Sequence, residues 1–385
     1  MFRTLCFTGI LLSTIFLVFF FYDIFNRALP AFQRTEILCE LDYDAAKAEA
    51  TAGDPNAEYG DASFAIPEEL FFAEIFSRQV VWDTEEILKA NFYDGKPFPD
   101  DGEQWLIANT DVDQYIKNGI RGKLKDKQIK VIDKLSAEDK IRVVSSWLIF
   151  TKSDSSYPEI SGIKGAAFGS MWIILVTALF SVPVGIMAAL YLEEYAPVNK
   201  LTNFIEININ NLAAIPSIIF GLLGLLVFLN FMGLPRSSPL VGGLTLGLMM
   251  LPIMIIATRA SLRSVPTNIR EAALAVGASK WQTVQHHVLP LAVPGILTGT
   301  ILSLAQAMGE TAPLLMVGLN SFVPDPPSGI TDSSASLPTL IFQWAGASER
   351  GFIERTAAAI LIMLTILITL NGLAVWMRNK FERRW

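Results

Sequence analysis

Six long stretches without a charged residue constrain the fold of this chain more than any other feature. Each contains at least 19 consecutive residues free of Lys, Arg, Asp and Glu. A helix needs about 20 apolar residues to cross roughly 30 Å of hydrocarbon, so each stretch predicts a transmembrane helix. Six of them in 385 residues indicate an all-α polytopic membrane protein. They cover residues 4–22, 165–192, 207–235, 237–258, 288–309 and 356–377.

The distribution of Lys and Arg predicts how these helices are oriented, because basic residues in short loops resist translocation. Ten lie on one side of the predicted helices and three on the other, so both termini are predicted to be cytoplasmic. The first stretch follows Arg3 as a signal peptide would, but its 19 uncharged residues exceed the usual apolar region of roughly 7 to 15. We therefore expect residues 1–25 to be a retained first helix.

Residues 26–163 form an acidic segment between the first two predicted helices. Its 138 residues carry 26 acidic and 16 basic side chains, a net charge of −10, whereas the whole chain carries −7. The predicted orientation places this insert outside the cytoplasm. Composition thus separates it from a five-helix core over residues 164–377 and a basic cytoplasmic tail over 378–385.

We expect the insert to be mainly helical. Asp83 with Glu86, and Ser136 with Asp139, resemble capping boxes. Apolar residues then recur at helical spacing after the second box. They are Ile141, Val144 and Leu148. Stretches 53–60 and 94–102 contain Gly and Pro and predict loops.

The residues that catalysis or metal binding requires are scarce. No G-x-x-x-x-G-K-[ST] loop is present, so ATP hydrolysis by this chain is not expected. His286 and His287 are the only histidines, and adjacent residues point to different sides of a helix, which argues against a metal site. The negative net charge argues against nucleic-acid binding. We expect no enzymatic activity, cofactor or metal.

The loop over residues 259–290 carries the strongest local signal. Pro266 and Gly277 delimit a short predicted helix, and Gly277 suits a left-handed helix end. One face of this helix combines small and aliphatic residues that suit close approach to a partner's groove. It consists of Ile269, Ala272, Ala273 and Val276. The alternative, a helix lying on lipid, would favour bulkier apolar residues and many Lys.

This loop resembles the EAA coupling motif of ABC-transporter permeases, which reads E-A-A, three residues, Gly, nine residues, I-x-L-P. His287 departs from the usual aliphatic residue. The resemblance implies that the loop contacts an ATPase subunit. The residues it assigns to coupling are Arg270, Glu271, Ala272, Ala273, Gly277, Leu289 and Pro290.

More specifically, residues 164–385 resemble the PstA-type phosphate permeases. The matching segments read YLEEYA at 191–196, NLAAIPS at 211–217, GETAPLL at 309–315 and FERRW at 381–385. The resemblance implies a type I ABC importer permease fold in the bacterial inner (plasma) membrane. It further implies import of inorganic phosphate by alternating access, in contact with membrane lipid. The implied partners are a PstC-type permease, a PstB-type ATPase dimer and a soluble phosphate-binding protein.

Two other functions stay open at this point. Permeases for other oxyanions, such as molybdate or sulfate, share the EAA loop. A membrane sensor or scaffold would need a cytoplasmic signalling domain, whereas the longest predicted cytoplasmic segment has about 30 residues. Whether the permease pair is made of two different chains or two copies is also open.

The predicted substrate pathway centres on Glu310, the single charge in residues 288–324. An ionisable group at membrane depth is costly and marks a functional candidate. Pro313 predicts a helix break near Thr311. Glu310 either holds a cation or accepts a hydrogen bond from a protonated phosphate oxygen; the structural alternative is an ion pair with a neighbouring subunit.

Two amides complete the predicted pathway. Relatives often carry Arg where this chain has Gln306, so positive charge must come from the partner permease or from helix N-termini. Asn211 is polar at predicted membrane depth, and its simpler role is an interhelical hydrogen bond.

Overall fold

A computed structural model describes residues 2–42, 65–94 and 102–381. Within them the chain divides into two compact units. The first comprises Met1–Ile163 with Trp344–Leu361, and the second Lys164–Gln343 with Ile362–Trp385. The loop predicted at 53–60, and nearly all of the one predicted at 94–102, lie outside the described residues.

The first unit begins with a long apolar helix that leads into a sheet. Its elements are α1 (Phe2–Ala28), a 3-10 helix (Leu29–Phe32), β1 (Gln33–Leu41), α2 (Glu68–Phe71), α3 (Arg78–Asp94), β2 (Gly102–Ile107), α4 (Thr110–Asn118), α5 (Asp126–Ala137), β3 (Ile141–Ser145) and α6 (Leu148–Thr151).

The three strands form an antiparallel sheet in the order β2-β1-β3, which the sequence analysis did not predict. Central Ile37 is paired with Leu106 on one side and Ile141 on the other, and it is fully buried. Buried Cys39 lies on the same core face, and desolvation raises the pKa of its thiol to about 12, so it is unreactive.

Several helical predictions for this insert are wrong in detail. Residues 141–145, expected to be helical, form β3, where consecutive Val143 and Val144 suit a strand paired with β1. Asp83 lies inside α3 and Ser136 inside α5, so neither residue begins a helix. The helical spacing was therefore misleading, because strand pairing with distant residues decided the structure.

The regular elements of the second unit are all helices among its described residues. Its elements, with those that extend into the first unit, are α7 (Lys164–Leu190) with a π turn (Tyr191–Tyr195), α8 (Lys200–Ala213), α9 (Ser217–Gly224) with a π turn (Leu225–Phe231), α10 (Pro239–Arg263), α11 (Thr267–Ala275), α12 (Lys280–Thr283) with a π turn (Val284–Val288), α13 (Leu289–Gly309), α14 (Ala312–Met316), α15 (Leu337–Ala345) and α16 (Gly351–Phe381).

Five of the described helices are long and apolar enough to cross a membrane, and a bent pair makes six if it counts as one span. They are Cys6–Phe32, Lys164–Tyr195, Pro239–Arg263, Lys280–Gly309 and Gly351–Lys380, with Lys200–Ala213 plus Ser217–Phe231 as the bent pair.

The third predicted helix, 207–235, is not one continuous helix but falls largely within the bent pair. The two halves of the bent pair meet at 100°. Pro216 causes the break, because proline donates no backbone hydrogen bond and disfavours a helical conformation at Ile215. Helix α8 accordingly ends at Ala213, and the Ala214 amide donates to the Asn211 carbonyl.

Helices α7 and α10 approach closely because small residues lie between them. A Cβ atom on Gly185 would lie 2.8 Å from Cβ of Met254. Thr177 Oγ1 donates to the Gly243 carbonyl over 3.0 Å. Small residues are the usual means of close helix packing in lipid. This packing brings the end of α10 beside the π turn that follows α7.

Candidate functional site

The predicted coupling helix is present as α11. Pro266 precedes it with an extended ψ of 137°, and Gly277 follows it with φ +90°, a conformation that favours glycine. Both helix boundaries predicted from the sequence are confirmed. The helix is short because the extended Pro266 prevents it from beginning earlier in the chain and Gly277 ends it.

The inner face of α11 differs from the predicted one. Ala273 is buried, and half-buried Ile269 packs on a cluster that includes Leu262, Val265 and Val288. These two residues therefore pack within this chain and do not offer a surface to a partner. The exposed residues of α11 and of the position after it are Thr267, Asn268, Glu271, Ala272, Leu274, Ala275 and Val276.

Arg270 also points into the chain. Its Nη2 donates to Glu194 Oε1 over 2.8 Å and to the Leu262 carbonyl over 2.9 Å. Its Nη1 donates to the Val265 carbonyl over 2.7 Å. These contacts place Arg270 between α11, the end of α10 and the π turn after α7.

An ion-pair cluster continues from this contact. Arg259 bridges Glu193 at 3.1 Å and Glu206 at 2.6 Å, and Arg263 pairs with Glu193 at 2.8 Å. We call Glu193, Glu194, Glu206, Arg259, Arg263 and Arg270 the ion-pair cluster. Sequence reasoning missed it; its only signal was the YLEEYA segment, whose two acidic residues had no assigned role.

The second half of the predicted coupling loop starts a long helix. Ser279 and Gln282 form a reciprocal capping box at the start of α12. The helical path then runs from Lys280 to Gly309. His287 and Pro290 are exposed and Leu289 is half-buried. The polar His287 therefore stands on the surface rather than in an apolar contact.

The helix break predicted near Thr311 is confirmed. Helix α13 ends at Gly309, Glu310 has an extended ψ of 126°, and α14 starts at Ala312. Half-buried Glu310 makes no side-chain hydrogen bond or ion pair with any residue that the structure describes. Its carboxylate is thus available for a ligand or a neighbouring subunit.

The helices that follow the Pro216 and Glu310 breaks are in close contact. A Cβ atom on Gly221 would lie 2.7 Å from Cα of Pro313 and 2.9 Å from Cβ of Met316. Helix α9, which begins after the Pro216 break, therefore packs directly on α14, which begins after the Glu310 break. Non-helical backbone at membrane depth occurs where it is buried in protein or lines a cavity.

The four predicted pathway residues are only partly brought together. Gln306, Glu310 and Thr311 follow one another at the end of α13, with Gln306 exposed. Asn211 is exposed near the end of α8. No hydrogen bond joins Asn211 to any of the other three. The structure therefore supports a shared site less for Asn211 than for Gln306, Glu310 and Thr311.

An open cleft of about 800 Å³ lies in the first unit. Its aromatic wall contains Phe71, Phe72 and Trp82, with basic side chains nearby at Arg78, Lys123 and Arg350. Sequence reasoning had no signal for it, because its residues come from separate segments between positions 71 and 350.

A buried acid, Glu159, lies at this cleft. It is 8% exposed and accepts hydrogen bonds from the Ser77 hydroxyl over 2.7 Å and from the Thr110 hydroxyl. Burial raises the pKa of the Glu159 carboxyl, while these hydrogen bonds oppose the shift. The cleft therefore contains a carboxyl group that titrates above the usual range.

Sequence comparisons give the family. The profile of the binding-protein-dependent transport system inner membrane component matches residues 181–385, and a domain of unknown function, DUF3333, matches residues 1–66. A probable ABC transporter permease protein, YqgI, of Bacillus subtilis is 39% identical over 44% of this chain and 58% of its own length. This chain thus spans just over half the length of that relative.

Two mycobacterial relatives are covered more fully. The phosphate transport system permease protein PstA of Mycobacterium leprae is 38% identical over 55% of this chain and 70% of its own length. The phosphate transport system permease protein PstA 1 of Mycobacterium tuberculosis is 35% identical over 58% of this chain and 71% of its own length. The chain therefore belongs to the family of binding-protein-dependent inner membrane transport components, and within it to the PstA-type permeases.

Proposed function

We propose that this chain is the permease subunit of an ATP-driven importer for inorganic phosphate. The observation that carries the proposal is α11, a short helix bounded by Pro266 and Gly277 whose exposed side includes Glu271 and Leu274. The substrate follows from the names of the PstA-type relatives. In this proposal the chain transports and does not hydrolyse ATP.

The proposed complex contains four kinds of component. A PstB-type ATPase dimer contacts the exposed face of α11, and a PstC-type permease completes the pathway. A soluble phosphate-binding protein delivers the substrate. Both termini and α11 face the cytoplasm and residues 26–163 lie outside, which the distribution of Lys and Arg supports.

The proposed mechanism moves α11 when the ATPase dimer closes on ATP. Because Ala273 and Ile269 pack into the permease, displacement of α11 displaces the ends of α10 and α13 as well. The two permease chains then expose the pathway to alternate sides of the membrane. This requires binding energy that differs between the two conformations, which ATP and the loaded binding protein supply.

Glu310 is the proposed centre of the pathway, with Gln306 and Thr311 beside it. A lone carboxylate repels a phosphate anion, so it acts by holding a cation or by accepting a hydrogen bond from a protonated phosphate oxygen. Its lack of a partner within the described chain supports both roles, and equally an ion pair with the partner permease.

The test of substrate is ATP hydrolysis by the reconstituted complex in liposomes. Phosphate with its binding protein is expected to stimulate hydrolysis, while molybdate and sulfate do not. Stimulation by molybdate or sulfate instead would assign the other oxyanion. A chain that recruits no ATPase under any condition would favour the sensor or scaffold.

The outer insert is proposed to dock the binding protein. Its net charge of −10 repels phosphate within a Debye length of about 8 Å, so direct substrate capture is disfavoured. Complementary charge mainly steers encounter and fixes register, which suits a partner with a basic patch. The cleft adds exposed Phe72 and Trp82, residue types enriched at protein interfaces.

Substitution of these aromatic residues tests the docking role. Phe72→Ser with Trp82→Ser is expected to raise the half-saturating concentration of binding protein by about tenfold, with the maximum uptake rate unchanged. Trp147→Ser is the matched control, since Trp147 is 68% exposed in the same unit and does not line the cleft. Identical saturation curves for all three proteins would leave the insert as a solvated cap.

A further inference from the structure

The inner side of α11, a helix of nine residues, is fixed by several hydrogen bonds from one arginine. Arg270 makes hydrogen bonds to three separate groups, namely the Glu194 carboxylate and the carbonyls of Leu262 and Val265. An arginine presents a planar array of donors that satisfies several acceptors at once. The side chain therefore fixes α11 against two other elements.

Glu194 is suited to this contact by its burial. Its side chain is only 8% exposed, and an unpaired carboxylate in such a position is strongly destabilising. A buried ion pair adds little stability over an apolar contact, but it specifies one arrangement of its elements. The Glu194–Arg270 pair thus selects one position of α11 relative to the π turn at Tyr191–Tyr195.

The neighbouring acid serves a different element. Adjacent residues on a helix point to different sides, so Glu193 faces α10 while Glu194 faces α11. Glu193 accepts from Arg259 and Arg263, and Arg259 continues to Glu206 on α8. A single turn therefore joins α7, α8, α10 and α11. Helical π turns often occur at functional positions.

We propose that the ion-pair cluster transmits the displacement of α11 to helices α7, α8 and α10. In this proposal Arg270 and Glu194 are positioning residues of the permease, and Arg270 does not contact the ATPase. The proposal rests on the proposed function for its transport readout. Its structural content, a fixed α11, is independent of that function.

Arg270→Lys is the principal test, because lysine keeps the charge but lacks the planar array of donors. The variant is expected to retain its ATPase subunits and its basal ATP hydrolysis. Phosphate transported per ATP hydrolysed is expected to fall by about tenfold, the size of effect that loss of a charged hydrogen bond produces. Glu194→Gln, which keeps the side-chain volume, is expected to lower the same ratio.

Amide hydrogen exchange supplies the second measurement, on the full chain in lipid nanodiscs. Exchange over residues 267–275 is expected to be faster in both variants, while exchange in α7 and α10 keeps its wild-type rate. Arg378→Lys is the matched control, because Arg378 is exposed on α16 and makes no ion pair with the described residues. Its transport ratio and exchange should equal those of the wild type.

Two results would overturn the proposal. One is a wild-type transport ratio with wild-type exchange in Arg270→Lys. The other is release of the ATPase subunits by that variant, since this would make Arg270 an ATPase contact. If the wild-type complex takes up no phosphate, the proposed function fails separately, and exchange over residues 267–275 alone decides whether Arg270 fixes α11.

Discussion

Carboxylates that are buried or half-buried have different partners in two regions of this protein. In the ion-pair cluster, the Glu193 and Glu194 carboxylates accept hydrogen bonds from arginines. In the first unit, Glu159 accepts hydrogen bonds from hydroxyl groups, and Asp154 accepts them from the Trp344 ring nitrogen and the Ser161 hydroxyl. Arginine keeps its charge at all relevant pH values, whereas neutral donors compensate only part of the desolvation of a carboxylate.

This difference in partners separates acids that connect helices from acids whose protonation responds to pH. Burial raises the pKa of both Glu159 and Asp154 despite their hydrogen bonds. The acids of the cluster instead join helices through fixed charge. Glu310 belongs to neither group, because its carboxylate has no partner among the described residues. Glu271 differs from all of these acids because it is exposed. Each kind of acid predicts a different response to substitution.

The largest effect is expected for Glu271→Lys. Glu271 lies on the exposed face of α11, where a reversed charge repels or misaligns an ATPase surface that accommodates an acid. Uptake should fall to background while the protein stays inserted in the membrane. Radiolabelled phosphate uptake and quantitative immunoblotting of membranes measure the two quantities. Asp325→Lys, another exposed acid, is the control and should transport normally.

A smaller but substantial effect is expected for Glu310→Gln. The substitution keeps the side-chain volume and removes the charge, so uptake should fall by about tenfold, as expected when a charge-assisted hydrogen bond is lost. Membrane abundance should hardly change. Asn211→Ala should have less effect, since Asn211 is exposed on α8 and makes no hydrogen bond to Gln306, Glu310 or Thr311. Normal uptake by a complex that dissociates on purification would instead make Glu310 a structural residue.

The smallest effect is expected for Glu159→Gln, and it concerns pH. A carboxyl whose folded pKa is raised binds protons more tightly in the folded chain, so its contribution to stability is present below the unfolded pKa and is lost as pH rises through the folded value. Glutamine removes this contribution. The stability of the variant should therefore decline less between acidic and neutral pH than that of the wild type.

Thermal unfolding of the purified full chain at several pH values measures this difference. Asp154, whose pKa burial also raises, remains in the variant and leaves a residual decline of the same sign. Equal pH dependence in both proteins would mean that Glu159 is not the titrating group. The proposed difference in pH response between the two regions would then be wrong for Glu159.

Local sequence rules predicted the parts of the site that local chemistry determines. Pro266 and Gly277 bounded α11 correctly, and Pro313 located the break after Glu310, because proline and glycine act on the backbone nearby. Pro216 carried the same information for the third span, but the uncharged run from 207 to 235 was interpreted as one helix.

Contacts between distant residues could not be predicted in the same way. Glu193 and Arg259 are 66 positions apart, and Glu194 and Arg270 are 76 apart. Helix α11 alone therefore gave no sign that Arg270 and Ala273 face inward. Strand β3 was missed for a related reason, since its pairing with Gln33–Ile37 lies more than a hundred residues away.

The central claim, that this chain carries phosphate in an ATP-driven importer, is tested most directly by uptake into proteoliposomes. The complete complex would be reconstituted with its binding protein, ATP and radiolabelled phosphate, beside an identical complex carrying Glu271→Lys. We expect ATP-dependent accumulation by the wild type that excess unlabelled phosphate abolishes and excess sulfate or molybdate does not, with background counts for the variant. Accumulation that sulfate or molybdate abolishes, or equal uptake by the two complexes, would contradict the claim.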